Sequence, residues 1–550
     1  MASKQRPSER TPTSAIALIG VIAAALAAHA MLLPRIASLD SFYHMGHATR
    51  YATHGAFDTS FPWARFSAVG DVGADLWWGF HVLLMPFAVL GDPAMGIRVA
   101  GVVLTVTLLA GVLVVCVRHG FEAAWLWPLL FFAAVPNVMY RFVMVRPHVV
   151  STLASILLLS FLVRGRARQV ALAAAVVTFA HLSLFWMPPL VGGAWIAALA
   201  LDRWVVGGED AASGRAADRK SAPARLGALA GGTLLGWLAR PHPFAAARLV
   251  DIQIFELFRE KAKALPITFG GELAPLPLAE LVRTSWLFIV LWVGALGLVG
   301  WTVARRRGRM RSMPEPERHL LSATGMLSLG FLALTLLVAR RAQVEWVVFG
   351  SLVTPVVVTH LMPRGWLRPA ALALAAALVV HLPWAVHRHR LNVAYVAHRP
   401  DLLAGAAEWL AGHSRPGDLV FHLHWDNFGP LFARNRTNAY LGGMDPIFLY
   451  AHDRKRYWEY FYLSADATTD YTCDAFPCRE GVATDTYEVV RSHFGARWVL
   501  VQPRRNPRMD RYLMNEPRFT LAFDSGDARV YEVLKDGADG AAGAPDAPAR

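Results

Sequence analysis

Long apolar runs punctuate the chain, and their number and spacing limit what it can fold into. A helix needs about 20 apolar residues to cross the hydrocarbon of a bilayer. Runs that approach or reach this length lie at 14–33, 97–116, 121–140, 147–163, 169–185, 188–201, 226–240, 286–304, 319–338, 344–362 and 369–388. Lipid offers no water to a free backbone N–H or C=O, so each run is expected to be helical. The sequence therefore predicts an α-helical polytopic membrane protein of about eleven spans. Composition supports this, because only 17% of the residues are charged against roughly 25% in average soluble domains. A further stretch, Leu76 to Gly91 (LWWGFHVLLMPFAVLG), is short and rich in aromatics.

The placement of that short stretch decides the sidedness of everything after it. If it spans, RGRAR (164–168), the loop 202–225 and RRRGRMR (305–311) all fall outside. If it lies in the interface or re-enters, all three fall inside together with PRGWLR (363–368). Loop Lys and Arg favour the cytoplasmic side, so the second arrangement is expected. It places a basic N-terminus (1–13) in the cytoplasm and a transmembrane region over 14–388. A first loop (34–96), a long loop (240–285) and the C-terminal part then face outward. The formal net charge of +14 is read as cytoplasmic loops facing anionic lipid. Membrane lipids, and not nucleic acid, are the implied partners.

Beyond residue 389 the pattern changes. GDLVFHLHW (417–425), RWVLVQP (497–503), FTLAF (519–523) and ARVYEVL (528–534) read as strands. Segments 401–412 and 484–495 have helical spacing. An extracytoplasmic α/β domain over 389–535 is expected, followed by a low-complexity tail over 536–550 read as disordered. Residues 206–225 read as a flexible cytoplasmic loop. Cys473 and Cys478 lie close together in a polar stretch. They form either a small disulfide loop, if that region meets an oxidising compartment, or two free thiols.

Chemistry is concentrated just after the first span, in SLDSFYHMGHATRYATHGAFD. Asp40, His44 and His47 follow at helical spacing and can share one face. A carboxylate there can ligate a metal or act as a base, or it can simply cap a helix. Arg146, Arg340 and Arg341 fall at outward helix ends. Arginine binds phosphate through two parallel donors and stays charged; the alternative is snorkelling to headgroups. The sequence holds no P-loop, no GxGxxG after a strand, no nucleophile elbow and no zinc-protease helix motif, so ATP-driven transport lacks an engine.

An acid after the first span, followed by an aromatic pair with His44, then an Arg and His-Gly, resembles the opening of GT-C superfamily glycosyltransferases. The layout resembles the catalytic subunit of oligosaccharyltransferase and uncharacterised bacterial GT-C-like proteins. The resemblance implies a role for Asp40 in catalysis or metal binding. ITFGGELAPL (267–276) is similar to a short Thr/Ser-x-x-Glu segment, with Glu272 as the matching residue. HWDNFG (424–429) is similar to an acceptor motif and points to Trp425 and Asp426. His148 stands in RPH (146–148), where relatives carry an acid.

The function implied is transfer of a sugar or glycan from a polyprenyl-(pyro)phosphate donor to an acceptor on the outer face of a bacterial inner membrane. The acceptor is a glycan, lipid or protein. Asp40 and Glu272 are the expected catalytic residues, and they would also hold a divalent ion (Mg or Mn). Arg340, Arg341 and Arg146 would bind the donor phosphate, while His44, His148, Trp425 and Asp426 would line the acceptor side. The rival expectation is a carrier, flippase or scaffold for lipid-linked glycans, with no chemistry of its own.

Overall fold

A computed structural model of the chain describes residues 11–206, 212–263, 265–479, 481 and 483–535. The residues expected as the far N-terminus (1–10) and as the disordered tail (536–550) lie outside them. The chain divides into two compact units. The first is built from Met1–Thr59, Gly73–Arg259 and Phe269–Leu402, and the second from Ser60–Val72, Glu260–Thr268 and Leu403–Arg550.

The first unit is helical. Its helices include α1 (Thr11–Leu32), α2 (Asp40–His54), α3 (Trp78–Ala88), α4 (Pro93–Arg118), α5 (Leu126–Ala133), α6 (Pro136–Phe142) and α7 (Pro147–Arg164). They continue with α8 (Ala167–Ala180), α9 (Met187–Val206), α10 (Ala212–Leu238), α11 (Leu278–Arg305), α12 (Glu315–Leu337), α13 (Gln343–Leu361) and α14 (Arg364–Tyr395). Local sequence sets their starts. Asp92 caps α4 by accepting from the N–H groups of Ala94 and Met95, both at 3.1 Å, and Pro93 supplies a preset φ at the first helical position. Large apolar residues remain exposed along these helices: Val99, Val103, Val114 and Val117 on α4, and Leu372, Val379 and Val380 on α14. Helices apolar on their outer faces belong in lipid. This is a membrane-embedded helical protein.

Among the described residues, eight helices are long and apolar enough to cross a bilayer, fewer than the eleven expected, and the differences have local causes. Run 121–140 breaks into α5 and α6 at Pro136. Val135 is extended (φ −130°, ψ 98°), as a residue before proline prefers, and Pro136 has no N–H to continue the helix. Run 169–185 gives only the 14-residue α8, which stops at His181 (φ −145°) before a 3-10 turn over Leu182–Leu184. Run 226–240 is the second half of α10, whose first half carries Arg215, Asp218, Arg219 and Lys220. The flexible loop expected at 206–225 is therefore helical from Ala212; 207–211 fall outside the described residues. The short stretch 76–91 becomes α3, 11 residues long and too short to span.

Hydrogen bonds tie the helix ends of this unit into two groups. At one end, Arg118 Nη2 donates to the Arg164 carbonyl at 2.9 Å. The Glu122 N–H meets Thr359 Oγ1 at 3.0 Å, and Arg318 Nε meets Asp202 Oδ1 at 2.6 Å. At the other, Ile36 and His398 pair as a β-bridge. There Tyr140 Oη donates to the Ala37 carbonyl at 2.9 Å, Arg240 Nη1 donates to the Leu76 carbonyl at 3.0 Å, and the Leu276 N–H donates to the Thr335 carbonyl at 2.9 Å.

Helices α8 and α10 pack through Gly232 and Gly236, a small-xxx-small pair that lets backbones approach closely. A Cβ on Gly232 would run into the Ala171 carbonyl oxygen, and one on Gly236 into the Ala175 carbonyl and Thr178 Oγ1. Thr178 Oγ1 also donates across the pair to the Thr233 carbonyl at 3.0 Å. Gly232→Val is expected to force the helices apart and cost about 2 kcal/mol, within the usual range for overpacking. Thermal unfolding in detergent checks this; a melting temperature equal to the parent's contradicts it.

The second unit holds a mixed sheet. Its strands are β1 (Leu419–His422), β2 (Ala439–Tyr440), β3 (Tyr471–Cys473), β4 (Ala483–Asp485), β5 (Ala496–Val501), β6 (Phe519–Asp524) and β7 (Arg529–Val533). Five form one sheet in the order β2-β1-β5-β7-β6. β2, β1 and β5 run parallel, while β7 pairs antiparallel with both β5 and β6. Every residue of β1 is buried, which is why its sequence, LVFH, is a short run and not an alternation. β3 and β4 form a separate antiparallel pair. Cys473 at the end of β3 is disulfide-bonded to Cys478, and Cys116 is free and buried. The pair is separated by 5 positions, and so small a closed loop contributes about 2 kcal/mol in the chain-entropy account. Alkylation of unreduced protein is expected to spare Cys473 and Cys478; labelling of both contradicts the bridge.

Candidate functional site

Asp40 opens α2, so its carboxylate sits in the favourable first turn. The break between α6 and α7 delivers two arginines to the same place. Arg141 lies in the last turn of α6, and Arg146, extended before Pro147, precedes α7. Glu272 comes from a 3-10 turn over Gly271–Leu273. Backbone bonds hold that turn against the α12–α13 connection: the Arg340 N–H donates to the Ala274 carbonyl at 2.7 Å. Arg340–Ala342 form their own 3-10 turn there.

These elements assemble one charge network. Arg146 Nη2 contacts Asp40 Oδ2, and its Nη1 lies 3.6 Å from Glu272 Oε2. Arg141 Nη1 donates to the same Glu272 oxygen at 2.7 Å, and Arg341 Nη1 lies 4.0 Å from Glu272 Oε1. The Asp40 and Arg146 side chains are 16% and 21% exposed, so their attraction is only weakly screened. Burial alone would raise the Glu272 carboxyl, but Arg141, Arg146 and Arg341 outweigh it and hold the group well below the usual carboxylate range. Burial pulls the Arg146 guanidinium below its ordinary value, against the opposing pull of Glu272. Within these ion pairs three guanidinium groups face two carboxylates, and a third carboxyl group, Glu345, lies within electrostatic reach of Arg341 and Arg141.

Two histidines support the network. His148 is buried, and its Nε2–H donates to the Arg141 carbonyl at 3.0 Å, which fixes the end of α6. His181 Nδ1 lies 3.3 Å from Ser151 Oγ. Burial, with Arg341 and Arg146 close by, pushes the His181 imidazole down to about 3. It is therefore a neutral group beside the arginines.

The network gathers Asp40, Glu272, Arg146 and Arg341, four of the residues singled out by sequence. It separates Arg340 from its neighbour, since Arg340 Nη1 turns to Glu280 Oε1 at 3.9 Å. His44 leaves the network too: it is buried and bonded to His81 (Nδ1 to Nε2, 2.8 Å). Trp425 and Asp426 belong to the second unit, in a 3-10 turn over Trp425–Asn427. Asp426 there accepts from Arg505 Nη1 at 3.0 Å and Nη2 at 3.1 Å. The ion expected between Asp40 and Glu272 meets a different arrangement, because each carboxylate is already matched by a guanidinium. Groups of histidines and carboxylates that could hold a metal do occur among the described residues, as His47–Asp75–His81 and Asp202–Glu315–His319. Sequence reading did not single out Arg141 from the other arginines at helix ends, nor Asp75 and His81. The only signal for Arg141 is its position five residues before Arg146, across a proline-broken run. No family model and no curated protein matches the sequence.

Proposed function

We propose that this protein is a membrane glycosyltransferase that takes a sugar from a polyprenyl-(pyro)phosphate donor. The observation that carries the reading is the network of three arginines, Arg141, Arg146 and Arg341, gathered around Asp40 and Glu272. A phosphate arriving there competes for the arginine donors, because arginine pairs with phosphate through the same two-pronged, charge-assisted bonds that it makes to carboxylate. Release from Arg146 leaves Asp40 free as a base. Asp40 then accepts the proton of the acceptor nucleophile, which attacks the anomeric carbon. The carbon–oxygen bond to the lipid phosphate breaks, and the phosphate leaves with the electron pair, stabilised by Arg141, Arg146 and Arg341. Attack opposite the leaving group inverts the anomeric centre.

An apolar cleft of about 490 Å³ supports a lipid donor. Leu26, Ala37, Ile97, Val103 and Val143 line it, and one end reaches Ser41, next to Asp40. A polyprenyl chain suits such a surface, since each buried CH₂ contributes about 0.8 kcal/mol.

The reading places the network and residues 389–535 on the outer side of a bacterial inner membrane, after eleven passages. The two groups of helix-end bonds support that count. Between Glu122 and Arg141 the chain runs from one group to the other through the broken pair α5–α6, and α8 and α10 make the same journey. Basic 164–168, 305–311 and 363–368 would then face the cytoplasm, and the Cys473–Cys478 bridge fits an oxidising outer compartment.

The saturation of both carboxylates by arginine favours one alternative, a carrier or scaffold that binds the lipid phosphate without chemistry. Asp40→Asn separates them. Proteoliposomes given a radiolabelled polyprenyl-phosphate sugar are expected to lose transfer by about 10²–10⁴-fold, the usual contribution of a general base, with donor binding kept. Unchanged transfer would discard Asp40 as the base. Absence of transfer in the parent, with binding intact, would favour the carrier.

A further inference from the structure

A second cluster lies within the first unit, and the proposed transfer does not use it. His47 stands on α2, Asp75 in the turn before α3, and His81 in the first turns of α3. One ligand atom from each lies within 4.8 Å of the others. Their exposures are 3%, 4% and 0%. Asp75 is tightly held: its Oδ1 accepts from the Trp77 N–H at 2.9 Å. Its Oδ2 accepts from Tyr51 Oη at 2.8 Å and lies 2.6 Å from His81 Nδ1. Arg240 fixes the same turn, donating to the Asp75 and Leu76 carbonyls at 3.3 and 3.0 Å, so its charge grips backbone and not the carboxylate.

We infer that His47, Asp75 and His81 bind one zinc ion that pins α2 to α3. Two imidazoles and one carboxylate are a common zinc ligand set, with water in the fourth position. Bonds of about 2.0–2.2 Å place tetrahedral ligand atoms about 3.3 Å apart, so the most distant pair needs to close by at most about 1.5 Å, while His81 Nδ1 and Asp75 Oδ2, now 2.6 Å apart, open slightly to admit the ion. The surroundings supply what zinc ligands usually have, namely oriented partners on their far sides. Tyr51 bonds the carboxylate, and His44 Nδ1 lies 2.8 Å from His81 Nε2. With the metal on Nδ1, His81 carries its proton on Nε2 and donates it to His44 Nδ1. The His81 ring proton then sits on Nε2 and that of His44 on its own Nε2, so that His44 Nδ1 accepts.

The other histidine–carboxylate group is a poorer site. Asp202 there is already taken by Arg318, Oδ1 to Nε at 2.6 Å and Oδ2 to Nη2 at 3.1 Å. It serves as the control. The zinc assignment does not depend on the glycosyltransferase reading, and it is tested on the full chain in detergent, without any activity assay.

After equilibration with Zn²⁺ and removal of free metal, elemental analysis is expected to find about one zinc per chain. His47→Asn and His81→Asn are expected to lose at least about 90% of it, and Asp202→Asn to keep it. Less than about a tenth of an equivalent in the parent overturns the assignment, as does full retention in both histidine variants. If those variants do not yield monodisperse protein, Co²⁺ in the parent decides. Intense visible absorption from a tetrahedral cobalt site supports it, and the weak spectrum of octahedral cobalt overturns it.

Discussion

Arg146→Met is expected to destabilise the first unit by about 3 kcal/mol, and Asp40→Asn in the same chain is expected to return at least half of that. Among the described residues, Arg146 is the one whose ion pairs reach both carboxylates of the network. Glu272 keeps Arg141 at 2.7 Å and Arg341 at 4.0 Å when Arg146 is lost. Asp40 loses the guanidinium that neutralises it while staying largely buried. Breaking a buried pair from one side costs about 3–5 kcal/mol because a charge is left behind. Partial exposure of both side chains puts this case at the low end. Removing the stranded charge with Asn relieves most of the penalty, which is why the double variant should be more stable than the single one. A cycle of four proteins followed by thermal unfolding in detergent measures the coupling directly. Additive losses would mean the two side chains do not depend on each other, and the network would then lose its central link. On the proposed glycosyltransferase reading, transfer activity gives a separate test: loss of one donor to a leaving group would cost about 10²–10³-fold. Arg146→Lys should recover stability better than transfer, since lysine keeps the charge but not the two-pronged donor geometry.

The parts of this site that could be read from sequence are those set by local rules. Asp40 stands seven residues past the run 14–33 and opens the next helix, so its place just beyond the first span follows from where that run stops. Arg146 is placed by Pro147, which both starts α7 and keeps the preceding residue extended. Arg341 was recognisable as a charge at a run end, and Glu272 only through the resemblance of 267–276 to a family segment; nothing local says that their two turns share a backbone bond. That bond, from the Arg340 N–H to the Ala274 carbonyl, joins segments far apart in sequence. The same bond points Arg341 toward Glu272 and leaves its neighbour Arg340 to Glu280, a split that two adjacent identical residues cannot reveal. Hydropathy located the apolar runs but not their interruptions. Run 121–140 is apolar but for Glu122 and Asn137, and its hydropathy does not show the break at Pro136 that carries Arg141 to the network. In the second unit, the strands found by pattern were the longer ones. β2 is two residues long, and β3 and β4 three each, too short for any periodicity to register.

Glu317→Ala is expected to loosen the opposite end of the helices by about 3 kcal/mol, with faster exchange confined to α12 and the end of α7. Glu317 is fully buried and has two basic partners. Its Oε1 lies 3.0 Å from His119 Nδ1 and 2.6 Å from Arg164 Nη2. His119 extends the chain, with Nε2 at 2.9 Å from Ser160 Oγ. One carboxylate thus joins α12, the end of α4 and α7. Alanine leaves a buried imidazole without its partner and removes the charge that holds Arg164, whose side chain is 32% exposed and can turn to water. The remaining penalty is that of the buried histidine and the cavity, and a one-sided break of this kind costs about 3–5 kcal/mol; the escape of Arg164 again selects the low end. At 1.4 kcal/mol per decade this is about a hundredfold change in local opening. Hydrogen exchange of the intact protein in detergent should therefore show amides near 157–163 and 318–324 exchanging about a hundred times faster. Amides around Asp40 and Glu272 should be unchanged, because they belong to the other group of helix ends. Glu317→Gln separates charge from hydrogen bonding: it can still accept from His119, so its effect should be smaller than alanine's. Equal exchange in parent and alanine variant would show that Glu317 does not hold these three helices together. Faster exchange spread evenly over both groups of ends would show that the helices open as one cooperative body and not from this end.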